Sequence, residues 1–138
     1  MCRLVVRLGA FVEAQRLGHV FESSTGFRLR GGNIRSPDVS FVATGHFEGE
    51  RVPEGFSDVP PDLAVEVLPP EDRTRSVLDK IGDYLEADVR LVWVIDPQHA
   101  TATVYRSLTR VSTLAVGDEL DGEEVVPGFR CRLGEVLE

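Results

Sequence analysis

The stretch Pro61-Asp62-Leu63-Ala64-Val65-Glu66-Val67-Leu68 constrains the fold of this chain more than any other. Leu63, Val65 and Val67 are apolar at every second position, the period of a β-strand. Pro60 and Pro61 precede it and Pro69 and Pro70 follow, so both ends are punctuated. The same alternation sets Asp62, Ala64, Glu66 and Leu68 on the opposite face. A carboxylate between two valines is costly to bury unless its charge is used. Taken alone, a half-exposed strand with Glu66 facing water explains the pattern as well.

The chain has 138 residues, which predicts one domain spanning 1–138 with a core that needs neither disulfide nor structural metal. Cys2 and Cys131 form no CxxC motif and no zinc spacing, and two such thiols suit a reducing, cytoplasmic setting. No apolar run approaches a membrane span. Met1 to Val12 is interrupted by Arg3 and Arg7 with no small-residue cleavage site after it, so a signal peptide is not expected. The net charge of −8 argues against loose binding to nucleic acid. That charge is uneven. Residues 1–35 hold six arginines against Glu13 and Glu22, a surplus of +4, and the remainder carries −12. The basic third could follow a phosphate backbone, and a solvated helix face accounts for it equally well.

Arg3 to Leu17 has Leu4, Val5, Leu8, Phe11 and Val12 at helical spacing, with Gly18 as the expected stop. His19 to Glu22 reads as a strand, Ser23 to Gly26 as a turn, and Phe27 to Arg30 as the returning strand. Ile34 to Val42 reads as another, with Asp38 near its start. Residues 44–60 are rich in Gly, Pro and charge and predict a long surface loop. A helix is expected from about Arg75 to Ala87, with Thr74 as its N-cap and a stripe of Val77, Ile81, Tyr84 and Leu85. Arg90 to Ile95 is a near-continuous apolar run, as in a central strand. Strands over Ala102–Arg106 and Val111–Val116 follow. Gly117 to Glu124 reads as an acidic turn, and Val125-Val126 with Phe129–Leu133 as a closing sheet edge before a short terminal helix. The order predicts an α/β (α+β) domain, one mixed β-sheet flanked by helices.

Asp38 and Glu66 each lie on a strand beside proline, on the face opposite the apolar one. Carboxylates held close on neighbouring strands repel, and a divalent cation relieves that. Magnesium takes oxygen ligands and keeps several waters, so two carboxylates suffice, and it can polarise phosphate and activate water. Of the 15 basic residues only Lys80 is lysine, on the helix after the Glu66 strand. Lysine is a compact point charge where arginine is a fork. Chance and the neighbouring Asp79 and Asp83 explain it too.

Pro37-Asp38, then Pro61 to Leu68, Lys80 with Tyr84, Val92-Trp93-Val94-Ile95-Asp96-Pro97 and Val126-Pro127-Gly128-Phe129 together resemble the Uma-type family of restriction-endonuclease-like proteins, in the PD-(D/E)XK superfamily. The resemblance implies a restriction-endonuclease-like core and a Mg2+- or Mn2+-dependent endonuclease that hydrolyses DNA. Asp38 and Glu66 would bind the metal, with the carbonyl of Val67 as a further ligand. The superfamily's lysine position, two residues after the Glu, is Leu68 here, and the resemblance assigns its role to Lys80, making Asp38, Glu66 and Lys80 the catalytic set. Pro69 stands where the family commonly has Ser, and Asp88 where it commonly has Gly. Family members begin with a further helix and hairpin, an N-terminal element expected to be missing here. DNA is the expected partner, with a homodimer left open. Two other readings stand beside this: an inactive nuclease-fold remnant serving as a binding or partner module, and a hydrolase of a small phosphorylated molecule.

Overall fold

The computed structural model describes residues 2–46, 56–70 and 74–137. Among them a six-stranded mixed sheet carries the molecule. Its strands are β1 (Gly18–Glu22), β4 (Val39–Ala43), β6 (Leu63–Val67), β7 (Leu91–Asp96), β8 (Thr101–Tyr105) and β9 (Val111–Leu114), in the spatial order β1-β4-β6-β7-β8-β9. Within this sheet the one parallel pair is β6 with β7, joined by helix α2 (Thr74–Glu86). A parallel pair needs such a crossover, because a tight turn cannot bring the chain back in the same direction. The predicted central strands are in place. β6 and β7 are buried along almost their whole length, as expected of strands covered on both faces.

The two faces have separate cores. Helix α1 (Cys2–Gln15) lays Leu4, Leu8 and Val12 over Val39, Phe41, Leu63, Val65, Trp93 and Ile95. Helix α2 lays Val77, Ile81 and Tyr84 over Val42, Ala64, Val92 and Val94 on the other side. Their apolar residues recur every three or four positions, so each helix presents one stripe to its face.

Both helices end in the same way, α1 before the expected Gly18 and α2 within a residue of the expected Ala87. Arg16 takes a left-handed φ of 54°, its N–H bonds to the Glu13 carbonyl, and the Leu17 N–H reaches the Val12 carbonyl. At the end of α2, Asp88 has φ 66°, its N–H bonds to Leu85 O, and Val89 N–H reaches Tyr84 O. These are Schellman caps with a non-glycine residue in the left-handed position. The expected stop at Gly18 is therefore corrected. Gly18 opens β1, where an added Cβ would lie 2.1 Å from the Val42 carbonyl oxygen. It serves close approach of β1 to β4.

Other expectations change as well. The segment after the Ser23–Gly26 turn does not return against β1. β2 (Gly26–Arg28) instead joins a small sheet with β3 (Ile34–Arg35) and β5 (Phe56–Ser57), while β1 pairs with β4. Turn residues set where a chain reverses and leave the partner strand open, and here β4 offers five paired positions. The expected strand Ile34 to Val42 is split around Ser36-Pro37-Asp38 into β3 and β4. The 44–60 loop contains β5. Residues 47–55 of that loop, residues 71–73 and the side chain of Thr74 expected to cap α2 lie outside the described residues. The acidic turn holds β10 (Glu119–Asp121), paired with β11 (Arg130–Arg132) in a two-stranded sheet of its own. So the C-terminal segment does not close the main sheet. Helix α3 (Leu133–Val136) follows. No described helix is long and apolar enough to cross a membrane.

Candidate active site

Asp38 and Glu66 meet because of strand register. β4 and β6 pair antiparallel with Val39 opposite Val65 and Ser40 opposite Ala64. Carrying that register one residue further sets Asp38 opposite Glu66, on the same face. Asp38 Oδ2 accepts a hydrogen bond from the Val67 backbone N–H at 2.8 Å, which ties the carboxylate to the end of β6.

Glu66 is 3% exposed and faces α2. The Tyr84 hydroxyl donates to its Oε2 at 2.6 Å, and Lys80 Nζ lies 3.6 Å from its Oε1. Lys80 and Tyr84 are one helical turn apart, hence on one side of α2. Tyr84 is fully buried, while the Lys80 side chain is about one-third exposed, so its ammonium reaches the edge of the site. Burial pushes the Glu66 carboxyl above its ordinary pKa; the Tyr84 bond and the Lys80 charge oppose that shift, and Asp38 adds to it. Burial and the neighbouring Glu66 charge likewise raise the Tyr84 phenol, so it stays a donor.

The structure thus brings Asp38, Glu66, the Val67 backbone and Lys80 to one end of β6. A cleft of about 210 Å³ opens beside Asp38 and Val67, bordered by Cys2, Val5, Glu22 and Ser23. The donors available to a cation are two carboxylates and a carbonyl, all hard oxygens. Among the described residues, no group of three or more His, Cys, Asp or Glu is gathered for a metal. Such a set fits a Mg2+ or Mn2+ ion that keeps much of its water, and it does not fit zinc. A divalent cation here would also offset the repulsion that Asp38 and burial impose on Glu66.

Asp62 belongs elsewhere. It shares the Glu66 face by alternation, yet its carboxylate accepts from Ala43 N–H at 2.7 Å and contacts His46 Nδ1 at 2.8 Å and Arg90 at 3.3 Å. It does not extend the acidic cluster. Trp93 packs within the core against Phe129. Tyr84 is the residue whose contact sequence reasoning missed. Its core spacing was correct, but its hydroxyl is aimed at Glu66. The available signal was its position four residues after the single lysine.

The arginine surplus of the N-terminal third is largely paired within the fold. Arg7 contacts Glu135 at 3.0 Å, Arg28 contacts Asp58 at 3.3 Å, Arg30 contacts Asp88 at 2.8 Å and Arg35 contacts Asp83 at 2.8 Å.

A family profile described as "Uma2: Putative restriction endonuclease" matches residues 2–134. Among solved structures, the chain resembles a "putative nuclease belonging to DUF820" from Anabaena variabilis ATCC 29413. The TM-score is 0.83 at 20% identity, over 97% of this chain and 75% of that one, which establishes the restriction-endonuclease-like fold. No curated protein matches the sequence.

Proposed function

The chain belongs to the Uma2 family, and from that premise we propose that it hydrolyses phosphodiester bonds in DNA with the help of Mg2+ or Mn2+. The observation that carries this reading is Asp38 facing Glu66 across β4 and β6, with Lys80 Nζ 3.6 Å from the Glu66 carboxylate. Asp38, Glu66 and the Val67 carbonyl would hold the ion, which supplies Lewis acidity and a water of lowered pKa. Tyr84 fixes Glu66 by its Oε2, so Oε1, on the Lys80 side, would be the oxygen available to an ion. Lys80 brings its side-chain nitrogen to the rim, where it can orient a water or stabilise negative charge growing on a phosphate oxygen. The free thiols of Cys2 and Cys131 suit work in a reducing cytoplasm.

Supercoiled plasmid incubated with Mg2+ or Mn2+ tests the proposal. The wild type is expected to nick and linearise it, and Glu66→Ala and Lys80→Ala each to lose about 100-fold or more while retaining a native circular dichroism spectrum. A folded wild type that cuts with neither metal refutes the hydrolytic reading. A Lys80→Ala variant that cuts at full rate refutes the role given to Lys80 and leaves the two carboxylates standing.

A further inference from the structure

The outer edge of the main sheet at β9 is open. β9 pairs only with β8 among the described residues, with Val104 opposite Ser112 and Ala102 opposite Leu114. The Arg106 N–H bonds to the Arg110 carbonyl at 2.9 Å. Bonded pairs alternate in an antiparallel ladder, so Ser112 and Leu114 turn their backbone groups toward β8. Val111 and Thr113 therefore turn theirs outward. The next outward N–H, that of Ala115, is already taken by Asp118 Oδ2 at 2.8 Å, which ends the open stretch. Exposed apolar side chains gather around this edge: Leu108 at 74%, Val111 at 45% and Val116 at 49%. In a chain of net charge −8, residues 111–117 carry no charge.

We propose that β9 is a self-association edge, on which a second copy of this chain pairs antiparallel about a two-fold axis at Ser112. In that register Val111 exchanges both backbone hydrogen bonds with Thr113 of the other copy, and Thr113 does the same with its Val111. Every outward group on the open stretch is then satisfied by the identical segment. The charges favour this partner over another. The segment is bounded by Arg110 at one end and Asp118 at the other. Antiparallel pairing brings the basic end of each copy toward the acidic end of its mate. A bare, uncharged edge without proline is also what a protein that remains monomeric normally guards against.

The test is sedimentation velocity of the full chain over a concentration series up to about 200 µM. Two substitutions are compared with wild type. Thr113→Pro removes an outward N–H that the β8 ladder does not use, a place where an edge strand tolerates proline. Val111→Lys puts like charges beside the axis. The wild type is expected to dimerise, and each variant to self-associate at least about 30-fold more weakly, with an unchanged melting temperature at concentrations where the wild type is monomeric. If Thr113→Pro does not fold, Val111→Lys decides. A wild type that stays monomeric throughout overturns the proposal, and so does a dimer that survives in the folded variants. None of these readings depends on whether the protein cuts DNA.

Discussion

Glu66 is a carboxylate held in the wall of a hydrophobic core, and its chemistry follows from that position. Its raised carboxyl pKa means that the folded chain holds this proton more tightly than the unfolded chain does. The corresponding stability is fully present below the ordinary value of 4.5 and is lost as pH rises through the raised one. Glu66→Gln keeps an acceptor for Tyr84 and removes the charge. In metal-free buffer it should therefore gain on the wild type as pH rises through the raised Glu66 pKa. Urea denaturation at several pH values measures this, and parallel curves for the two proteins would contradict it. Tyr84→Phe leaves the buried Oε2 without its donor and should cost about 1–3 kcal/mol. That loss should shrink in the Glu66→Gln background, where the orphaned group is no longer charged. Of these residues, the alternation around Glu66 and the isolation of Lys80 were legible in the sequence. The Tyr84 contact was not, because it depends on the rotational phase of α2 over β6, which periodicity within either element leaves open.

At the scale of elements, the sequence placed the strands of the main sheet, both β6 and β7, buried on two faces, and the more exposed β1, β8 and β9. Leu63 to Val67 alternates between two proline pairs, and Leu91 to Ile95 is a near-continuous apolar run, so both read as strands. What escaped was partnership and termination. The Ser23–Gly26 turn predicted a hairpin, but β1 found more pairing on β4 than on the three-residue β2. The end of α1 escaped because its left-handed position is held by Arg16, which no composition rule marks as a cap; α2 ends within a residue of the expected Ala87, on a left-handed Asp88. This gives a direct prediction. A residue with a Cβ is strained there, and glycine is not. Arg16→Gly should raise the unfolding free energy by about 1 kcal/mol in urea titration. Asp88→Gly should gain less, since it also gives up the exposed contact to Arg30. Gly18→Ala should do the opposite. Its Cβ would press on the backbone of β4, and a loss of about 2 kcal/mol or more is expected.

At the scale of the whole molecule, charge segregated along the sequence is reunited in space. The basic first third and the acidic remainder meet through Arg7–Glu135, Arg28–Asp58, Arg30–Asp88 and Arg35–Asp83. Four of the six arginines in that first third are engaged with carboxylates in this way. DNA binding measured by fluorescence anisotropy should accordingly show a shallow salt dependence, with log K falling against log salt at a slope no steeper than about −3. The thiols report the packing. Cys2 is exposed, whereas Cys131 is buried and its thiol is pushed up to about 11. A disulfide reagent at pH 8 should titrate one thiol per chain at once and the other only on unfolding.

The pairing of β4 with β6 also has a meaning for how such a sequence can change over generations. Asp38 faces Glu66 because two strands are aligned to the residue, and Lys80 reaches them because α2 is in phase with β6. A residue gained or lost between elements leaves both alignments untouched. A single deletion inside β4 or β6 turns every later side chain of that strand to the other face. One between the start of α2 and Lys80 rotates the ammonium about 100° away from the carboxylates. Lineages carrying this arrangement are thus free to vary in loop length, while within these three short elements they can exchange residues but not add or remove them.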